Sequence, residues 1–160
     1  SMFMDILAHF LWTYALYFKS KERLLATFFG VMPDLISFGP HLLLSLFGFG
    51  TYFSKLSLAS IPEYVFVGYK FTHSLVIFAI VALVIYYITR EIYWVLGGWL
   101  LHILIDIPTH TQDFFPTPFL WPISNFTFSG ISWSNKYFMI ITYSLIIIVY
   151  TCLFIFKKKN

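Results

Sequence analysis

With 160 residues the chain can form one domain, but its composition lies outside the range of soluble proteins. Hydrophobic residues make up 59% and charged residues only 11%, whereas about a quarter of the residues in a soluble protein are charged. The net charge of +3 then concerns membrane topology, and no nucleic-acid partner is expected. These figures predict a single all-α integral membrane domain over residues 1–160, with Ser1 interpreted as a cloning scar.

Apolar runs predict a polytopic helical bundle of about five membrane segments, at residues 3–18, 24–36, 72–88, 92–107 and 137–156. The second segment is too short to cross a membrane alone, and Pro33 is expected to disrupt its helix. The run from His41 to Gly50 predicts an additional re-entrant or interfacial helix. The Pro-rich and aromatic stretch 108–136 predicts an ordered lid at the membrane interface.

Basic residues predict how this five-span layout is oriented in a cytoplasmic membrane. Most of them fall on the side of the C-terminus, which makes that side cytoplasmic and places the N-terminus outside: Lys19, Lys21, Arg23, Arg90, Lys157, Lys158 and Lys159. The histidines and most acidic residues then fall on the outer side or in outer helix halves: His9, His41, His73, His102, His110, Asp5, Asp34, Glu63, Asp106 and Asp113. This clustering predicts a single site near the outer leaflet.

The sharpest motif is a histidine and an aspartate inside the apolar run 92–107, at His102 and Asp106. Four residues are about one helical turn, so both side chains lie on the same helix face. An aspartate at the centre of a lipid-facing helix costs roughly 2.5–3.5 kcal/mol on insertion scales, so a partner within the bundle is expected. The pair is therefore interpreted as two metal ligands.

Three other segments bring similar residues to the same predicted depth. Asp5 and His9 repeat the four-residue spacing on the first helix, where Asp5 is either a ligand or an acceptor that holds the His9 ring. Asp34 follows Pro33, and Thr72-His73-Ser74 opens the third helix with a hydroxyl that can cap it. Each signal alone is also compatible with a structural histidine or a capping aspartate.

Together the four segments predict a site for one or two divalent metal ions. The residue types favour zinc, which takes histidine nitrogen and carboxylate oxygen and keeps a position open for water in catalytic sites. Manganese or another divalent ion remains an alternative, because mixed histidine and carboxylate sets suit several metals. The ion would neutralise Asp34 and Asp106, which otherwise stand uncompensated in or near lipid.

These motifs also carry a resemblance to a known family. Met4-Asp5-x-x-x-His9, Pro33-Asp34, Thr72-His73-Ser74 and His102-x-x-x-Asp106, followed by Pro118-x-x-Trp121-Pro122, resemble the YdjM-like membrane-bound metal-dependent hydrolases of bacteria and archaea. The similarity runs from about residue 4 to residue 123. In one departure, Ile36 stands where family members often have a second aspartate, which implies a smaller acidic set in this chain.

The family is in turn similar to zinc-dependent phospholipase C and single-strand nucleases, which implies phosphoester chemistry. There a further histidine follows the His-x-x-x-Asp pair, and His110 is the candidate here although its spacing is shorter. The resulting hypothesis is a hydrolase that attacks a lipid-linked or amphipathic phosphoester with a metal-bound hydroxide at the outer face, with membrane lipid as its surroundings. The expected metal ligands are His9, Asp34, His73, His102, Asp106 and His110.

Two points of this hypothesis stay open in the sequence. Either Asp5 or Asp34 is expected to accept the proton of the attacking water, as the catalytic base. The phosphate is expected to meet Lys70, Lys136 or backbone amides of the lid, although both lysines also suit a role as interfacial anchors.

Other functions fit the pattern less well. A divalent-cation or proton-coupled transporter is the main alternative, but the inner helix halves 11–18, 78–88 and 94–100 are almost wholly apolar. Haem binding through paired histidines leaves the aspartates unexplained. An intramembrane zinc protease lacks its His-Glu-x-x-His signature, and a purely structural membrane protein is the remaining possibility.

Overall fold

The computed structural model describes residues 2–48 and 61–157. Within these ranges the chain forms six helices and no strand, which confirms the all-α prediction. A single 3₁₀ turn, Trp94–Leu96, leads directly into the fifth helix. The helices are α1 Met2–Leu16, α2 Arg23–Leu46, α3 Glu63–Thr72, α4 Leu75–Thr89, α5 Gly97–Thr109 and α6 Lys136–Lys157.

The prediction of about five membrane segments is wrong. Among the described residues, only α2 and α6 are long and apolar enough to cross a membrane, and the bent pair α3–α4 makes a third span at most. Helix α1 has 15 residues and α5 has 13, which correspond to roughly 20–23 Å at 1.5 Å per residue. Both are shorter than a hydrocarbon core of about 30 Å, so the apolar runs 3–18 and 92–107 form short helices of the bundle.

Helix α2 is longer than its sequence predicts. It runs for 24 residues through both Pro33 and Pro40, so the predicted break at Pro33 does not occur. The predicted separate helix from His41 is also wrong, because His41 to Leu46 is the last part of α2, while residues 49–50 lie outside the described ranges. A proline inside a helix removes one N–H bond and crowds the carbonyl of residue i−4, and contacts of α2 with α1, α3 and α5 offset this cost.

Close contacts between small residues hold α2 against α1 and α5. A Cβ atom added to Gly98 of α5 would lie 2.1 Å from the carbonyl oxygen of Ala26 in α2. A Cβ atom added to Gly30 of α2 would lie 2.3 Å from the hydroxyl oxygen of Thr13 in α1. Only glycine permits this approach of the backbones, and it brings three polar helix faces together.

Helix α6 lies on the outside of the bundle, parallel to α1. The hydroxyl of Tyr143 donates to the carbonyl oxygen of Met4, and that of Tyr150 donates to the carbonyl oxygen of Leu11 at 2.8 Å. Both bonds join residues 139 positions apart, so the two helices keep the same direction and register. The other side chains of α6 are largely exposed and apolar, as expected of a lipid-facing span.

The break between α3 and α4 bends the pair by 59°. Ser74 caps α4, as the sequence predicts, because its hydroxyl oxygen accepts from the backbone N–H groups of Val76 and Ile77 at 3.1 Å. The same hydroxyl donates to the carbonyl oxygen of Trp121. The Ser74 hydroxyl therefore also connects the irregular segment 110–135 to the bend, at the residue next to His73.

Basic residues at the start of α2 and at the end of α6 lie at the same end of the bundle. Arg23 donates to the hydroxyl of Tyr14 at 3.2 Å, and Lys157 lies 5.8 Å from the ring centroid of Phe18. Tyr17 donates to the carbonyl oxygen of Trp94, which brings the start of α5 to the same end. This basic end lies opposite the end where α1 begins and α5 finishes.

Candidate metal centre

The structure brings all seven predicted site residues into one cluster. They come from α1, α2, the α3–α4 bend, α5 and the residue that follows α5. Six are buried and His110 is half-buried: Asp5, His9, Asp34, His73, His102, Asp106 and His110. The placement agrees with the expectation of one shared site, including both proposed catalytic carboxylates.

Asp106 is the centre of this cluster. Its Oδ1 atom lies 2.9 Å from Nε2 of His9, and its Oδ2 atom lies 3.2 Å from Nε2 of His73 and 3.3 Å from Nε2 of His102. The same Oδ2 atom is 3.7 Å from Nδ1 of His110. One fully buried carboxylate thus faces four imidazoles, three of them at Oδ2 and His9 at Oδ1.

Asp34 approaches the same two central histidines from α2. Its Oδ1 atom lies 3.4 Å from Nε2 of His73 and 3.7 Å from Nε2 of His102. The two Nε2 atoms are themselves only 3.0 Å apart. The two nitrogens therefore lie close to each other and to one oxygen of each carboxylate.

Backbone carbonyls fix the tautomers of these two histidines. Nδ1 of His102 lies 2.7 Å from the carbonyl oxygen of Gly30, and Nδ1 of His73 lies 3.1 Å from that of Tyr69. A carbonyl oxygen only accepts, so both Nδ1 atoms carry hydrogen and both neutral Nε2 atoms carry lone pairs. Two lone pairs facing each other repel, and either a proton on one ring or a shared cation removes the repulsion.

The spacing of these atoms fits ligands of a metal ion. Ligands at roughly 2.0–2.1 Å from zinc stand about 3.3 Å from one another in a tetrahedron. Nε2 of His73, Nε2 of His102 and Oδ2 of Asp106 are separated by 3.0, 3.2 and 3.3 Å, and Oδ1 of Asp34 lies 3.4 and 3.7 Å from the two nitrogens. Histidines whose Nδ1 atoms donate to carbonyls also have the usual environment of metal ligands. The donor set therefore fits a divalent cation.

A second group of possible ligands adjoins the first. Nε2 of His9 lies 3.1 Å from Oδ1 of Asp5 and also faces Oδ1 of Asp106, so these three residues could hold an ion. This group shares only Asp106 with the group of His73, His102 and Asp106, and a third overlapping group joins His9, Asp34 and His102. The geometry accommodates one ion or two, with Asp106 between them.

Within the described part of the chain, four buried carboxylate oxygens of the cluster have no hydrogen-bond partner other than histidine rings. These atoms are Oδ1 of Asp5, Oδ2 of Asp34 and both oxygens of Asp106. A buried carboxylate without a hydrogen bond or a positive partner is costly, because burial removes its hydration. Cations among these oxygens supply the missing compensation, which is a second reason to interpret the cluster as a metal site.

His110 stands at the edge of the cluster and belongs to none of the three groups. Its Nε2 atom lies 3.3 Å from Oδ2 of Asp5, and its Nδ1 atom lies 3.3 Å from the hydroxyls of Tyr69 and Thr117. Burial lowers the pKa of His110, but the carboxylates of Asp106 and Asp5 outweigh it and raise this pKa to about 9.

A cavity of about 300 Å³ opens over the cluster. Asp5, Asp34 and His110 form part of its wall, and the rest is mostly aromatic or apolar, together with two serines: Phe38, His41, Ile61, Tyr69, Thr111, Phe114, Phe115, Ser132, Trp133 and Ser134. The serines precede α6, at the end of the bundle opposite the basic end. A ligand in this cavity would contact polar groups with one part and aromatic rings with the rest.

The two lysines expected to meet a phosphate do not reach this cavity. Lys70 and Lys136 are exposed and neither lines the wall, and Lys136 lies 5.3 Å from the ring centroid of Tyr137. The geometry therefore favours their alternative interpretation as anchors on the surface.

Sequence reasoning missed the residues that orient the ligands. Tyr69 stacks on His73, and the carbonyl of Gly30 holds His102. Tyr69 precedes His73 by four residues, the same spacing as in the two predicted pairs. The sequence could therefore have predicted that Tyr69 and His73 share a helix face. The contact between the Gly30 carbonyl and His102 could not be predicted from the sequence, because it depends on how α5 packs against α2.

Comparison with known proteins yields one family. The model of the YdjM inner membrane protein family matches residues 4–160, which is nearly the whole chain. Searches of curated proteins and of solved structures gave no significant match. The match extends beyond the motif region and includes α6. The chain belongs to the YdjM inner membrane protein family.

Proposed function

We propose that this protein is a membrane-embedded, metal-dependent hydrolase of an amphipathic or lipid-linked phosphoester. One observation carries the proposal: the imidazole lone pairs of His73 and His102 converge with two buried carboxylates beside an aromatic cavity. A His/Asp cluster with a purely structural role would not require an adjoining cavity. A cavity without catalysis would not require histidines and carboxylates in its wall. Their combination is typical of hydrolytic metal sites.

In this proposal zinc is the first choice of metal, with manganese as the alternative, and His73, His102 and Asp106 are the core of its ligand set. His9 and Asp5 would hold a second ion through the other oxygen of Asp106. A bound divalent ion supplies Lewis acidity, which polarises a phosphoryl oxygen and lowers the pKa of a coordinated water.

Asp34 is the carboxylate best placed to accept a proton from water. Its Oδ1 atom faces His73 and His102, while its Oδ2 atom has no hydrogen-bond donor within residues 2–48 and 61–157. Asp5, in contrast, faces His9 with one oxygen and His110 with the other. The free oxygen of Asp34 therefore makes it the proposed general base, and Asp5 a residue that holds two histidines.

The cavity wall supports an amphipathic substrate. Phe38, Phe114, Phe115 and Trp133 offer ring faces and edges for an apolar group next to the phosphate. A volume of about 300 Å³ is at the lower limit for ligand pockets, so it encloses the part of the substrate near the phosphate and not two acyl chains.

Transport is not proposed, because the bundle is closely packed between the site and the basic end. Gly98 and Ala26 leave no room for a single methyl group between α5 and α2. Trp99 adds to this seal, since its ring nitrogen donates to the carbonyl oxygen of Thr72 at 2.6 Å. A carrier needs polar steps on both sides of its site, and here the described buried histidines and carboxylates do not extend from the cluster towards the basic end, where the buried polar residues are Thr13 and Thr27.

The proposed orientation places the basic end in the cytoplasm and the cavity on the outer face of the inner membrane. Basic residues favour the cytoplasmic side, and Arg23 and Lys157 lie at the end opposite the cavity. Single cysteines at Asn125 and Lys21, introduced into a Cys152→Ser background, test this by labelling intact cells with an impermeant maleimide. Only the cysteine at position 125 should be labelled, and labelling of position 21 alone would reverse the orientation.

Hydrolysis is tested on the purified protein loaded with zinc or with manganese. A screen of p-nitrophenyl phosphate, bis-p-nitrophenyl phosphate and single-chain alkyl phosphoesters should give turnover that a chelator abolishes. His102→Ala should lose metal and activity together, whereas Asp34→Asn should lose activity by at least about 100-fold. A protein that binds metal but hydrolyses none of these esters would contradict the enzymatic proposal and leave the metal site standing.

A further inference from the structure

Tyr69 holds the ligand His73 in two ways. Their rings stack with centroids 3.8 Å apart and an angle of 24° between planes. The carbonyl oxygen of Tyr69 also accepts the Nδ1 hydrogen of His73 at 3.1 Å. The ring fixes the plane of the imidazole and the carbonyl fixes its tautomer, so together they direct the Nε2 lone pair at Asp106.

The hydroxyl of Tyr69 reaches the other side of the cluster. It donates its hydrogen to the carbonyl oxygen of Phe115 at 3.1 Å and lies 3.3 Å from Nδ1 of His110. A hydroxyl has one hydrogen, so while it donates to Phe115 it can only accept from His110. Nδ1 of His110 then carries the hydrogen, and its Nε2 atom is directed at Asp5.

The acceptor of this bond sits in an unusual backbone conformation. Phe115 has φ of 48°, in the left-handed region that a bulky residue rarely adopts. Its ring is held by a stacked contact with Phe66, with centroids 5.0 Å apart, and by Phe38 at 4.9 Å. Aromatic packing therefore holds a strained turn whose carbonyl points at Tyr69, and such strain clusters at functional sites.

We infer that Tyr69 is a positioning residue that links the two sides of the metal cluster, with the strained Phe115 carbonyl as its anchor. This inference rests on the proposed metal site. Tyr69 orients His73 through its ring and His110 through its hydroxyl, and it touches neither ion itself. Because Tyr69 and Phe115 also line the cavity, a substrate's apolar group packs against the residues that hold the ligands.

Tyr69→Phe tests the hydroxyl link while the stacked ring stays in place. Zinc affinity is measured by competition with a chelating dye, and the ligand geometry by the visible spectrum of the cobalt(II)-loaded protein. The hydroxyl acts through His110 on Asp5, a ligand of the proposed second ion. Loss of a partner that orients a ligand typically weakens metal binding 10- to 100-fold, so an increase of at least about tenfold in the zinc Kd of that ion is expected. The cobalt bands should shift as well.

Tyr64→Phe is the matched control, since Tyr64 lies on the same helix with an exposed side chain. It should leave both the zinc Kd and the cobalt spectrum unchanged. An unchanged Kd and spectrum in Tyr69→Phe would overturn the positioning role while the wild type still binds metal. A wild type that binds neither zinc nor cobalt would instead remove the proposed function on which this inference rests.

The strain at Phe115 has a separate test that does not use activity. Phe115→Gly and Phe115→Ala both remove the ring, but only glycine adopts a positive φ without steric cost. The glycine variant should therefore melt at a higher temperature than the alanine variant, although glycine usually destabilises a protein relative to alanine. The opposite order would mean that the left-handed turn at Phe115 does not anchor Tyr69.

Discussion

Helices α5 and α6 are both apolar in composition, yet α5 is enclosed by the rest of the bundle and α6 is largely exposed. Helix α5 has 13 residues and buries Gly98, Trp99, His102, Ile103, Asp106 and Thr109, whereas α6 has 22 residues and buries only Thr142 and Ile146. At 1.5 Å per residue α6 spans about 33 Å and α5 about 20 Å. The longer helix can face lipid by itself, and the shorter one is enclosed by protein.

The difference shows where a membrane protein can place buried charge. Asp106 is fully buried on α5, since α1 and the α3–α4 bend supply partners around it. No described residue of α6 between Tyr137 and Phe156 carries a charge, which suits a helix exposed to lipid. The site residues therefore lie on helices that pack inside the bundle, including the long α2 with Asp34, whereas α6 on the outside supplies a span.

The largest effect is expected from Asp106→Asn, which keeps the volume of the side chain but removes its charge. Because Asp106 faces four imidazoles and joins two of the ligand groups, zinc affinity should fall by more than about 100-fold. Competition with a chelating dye measures this Kd. Asp113→Asn, in the exposed segment after α5, is the control and should bind zinc as the wild type does.

A large loss of stability is expected when α5 can no longer approach α2. In Gly98→Ala the new methyl group would lie 2.1 Å from the Ala26 carbonyl oxygen, which is backbone and cannot turn away. Overpacking of this kind costs about 3 kcal/mol, measured by thermal melting in detergent. Gly39→Ala on α2 meets nothing within 4 Å and should melt at or slightly above the wild-type temperature, because alanine favours a helix more than glycine does. Equal melting of both variants would contradict the close packing.

A smaller effect is expected at the α3–α4 bend. Ser74→Ala removes the cap of α4 and the bond to the Trp121 carbonyl, and loss of such a cap costs about 1–2 kcal/mol. The melting temperature should fall accordingly, by less than in Gly98→Ala. Ser134→Ala, in the exposed segment before α6, should change it little, and a matching fall there would mean that the cap contributes nothing specific.

The smallest effect is expected on α6 itself. Cys152 is exposed on this helix, and substitutions at exposed positions usually change stability by less than about 0.5 kcal/mol. Cys152→Ser should therefore keep the melting temperature and the metal affinity of the wild type. A marked loss in either measurement would show that α6 does more than face lipid.

The candidate site was more predictable from the sequence than the fold. Side chains at four-residue spacing must share a helix face, so the spacing alone pairs Asp5 with His9 and His102 with Asp106. Polar residues in apolar runs are costly without partners, which indicated that separate segments had to meet. The resulting cluster contains every residue expected in it.

The spans were harder to predict, since apolar composition does not separate a lipid-facing helix from one enclosed by protein. Helices α1 and α5 resemble spans in composition, but their partners decide their role. Helix α2 looked too short because a proline inside a helix usually ends it, whereas packing against three helices carries α2 through Pro33. Such support depends on contacts between distant parts of the chain, which single-sequence patterns do not contain.

The metal content of the wild-type protein tests the central claim most directly. The protein, purified in detergent and dialysed against zinc or manganese, is analysed by inductively coupled plasma mass spectrometry after gel filtration. We expect one to two ions per chain for the wild type and fewer than about 0.1 for Asp106→Asn at matched protein concentration. A folded wild-type protein that retains neither metal would show that protons alone hold the histidine and aspartate cluster together.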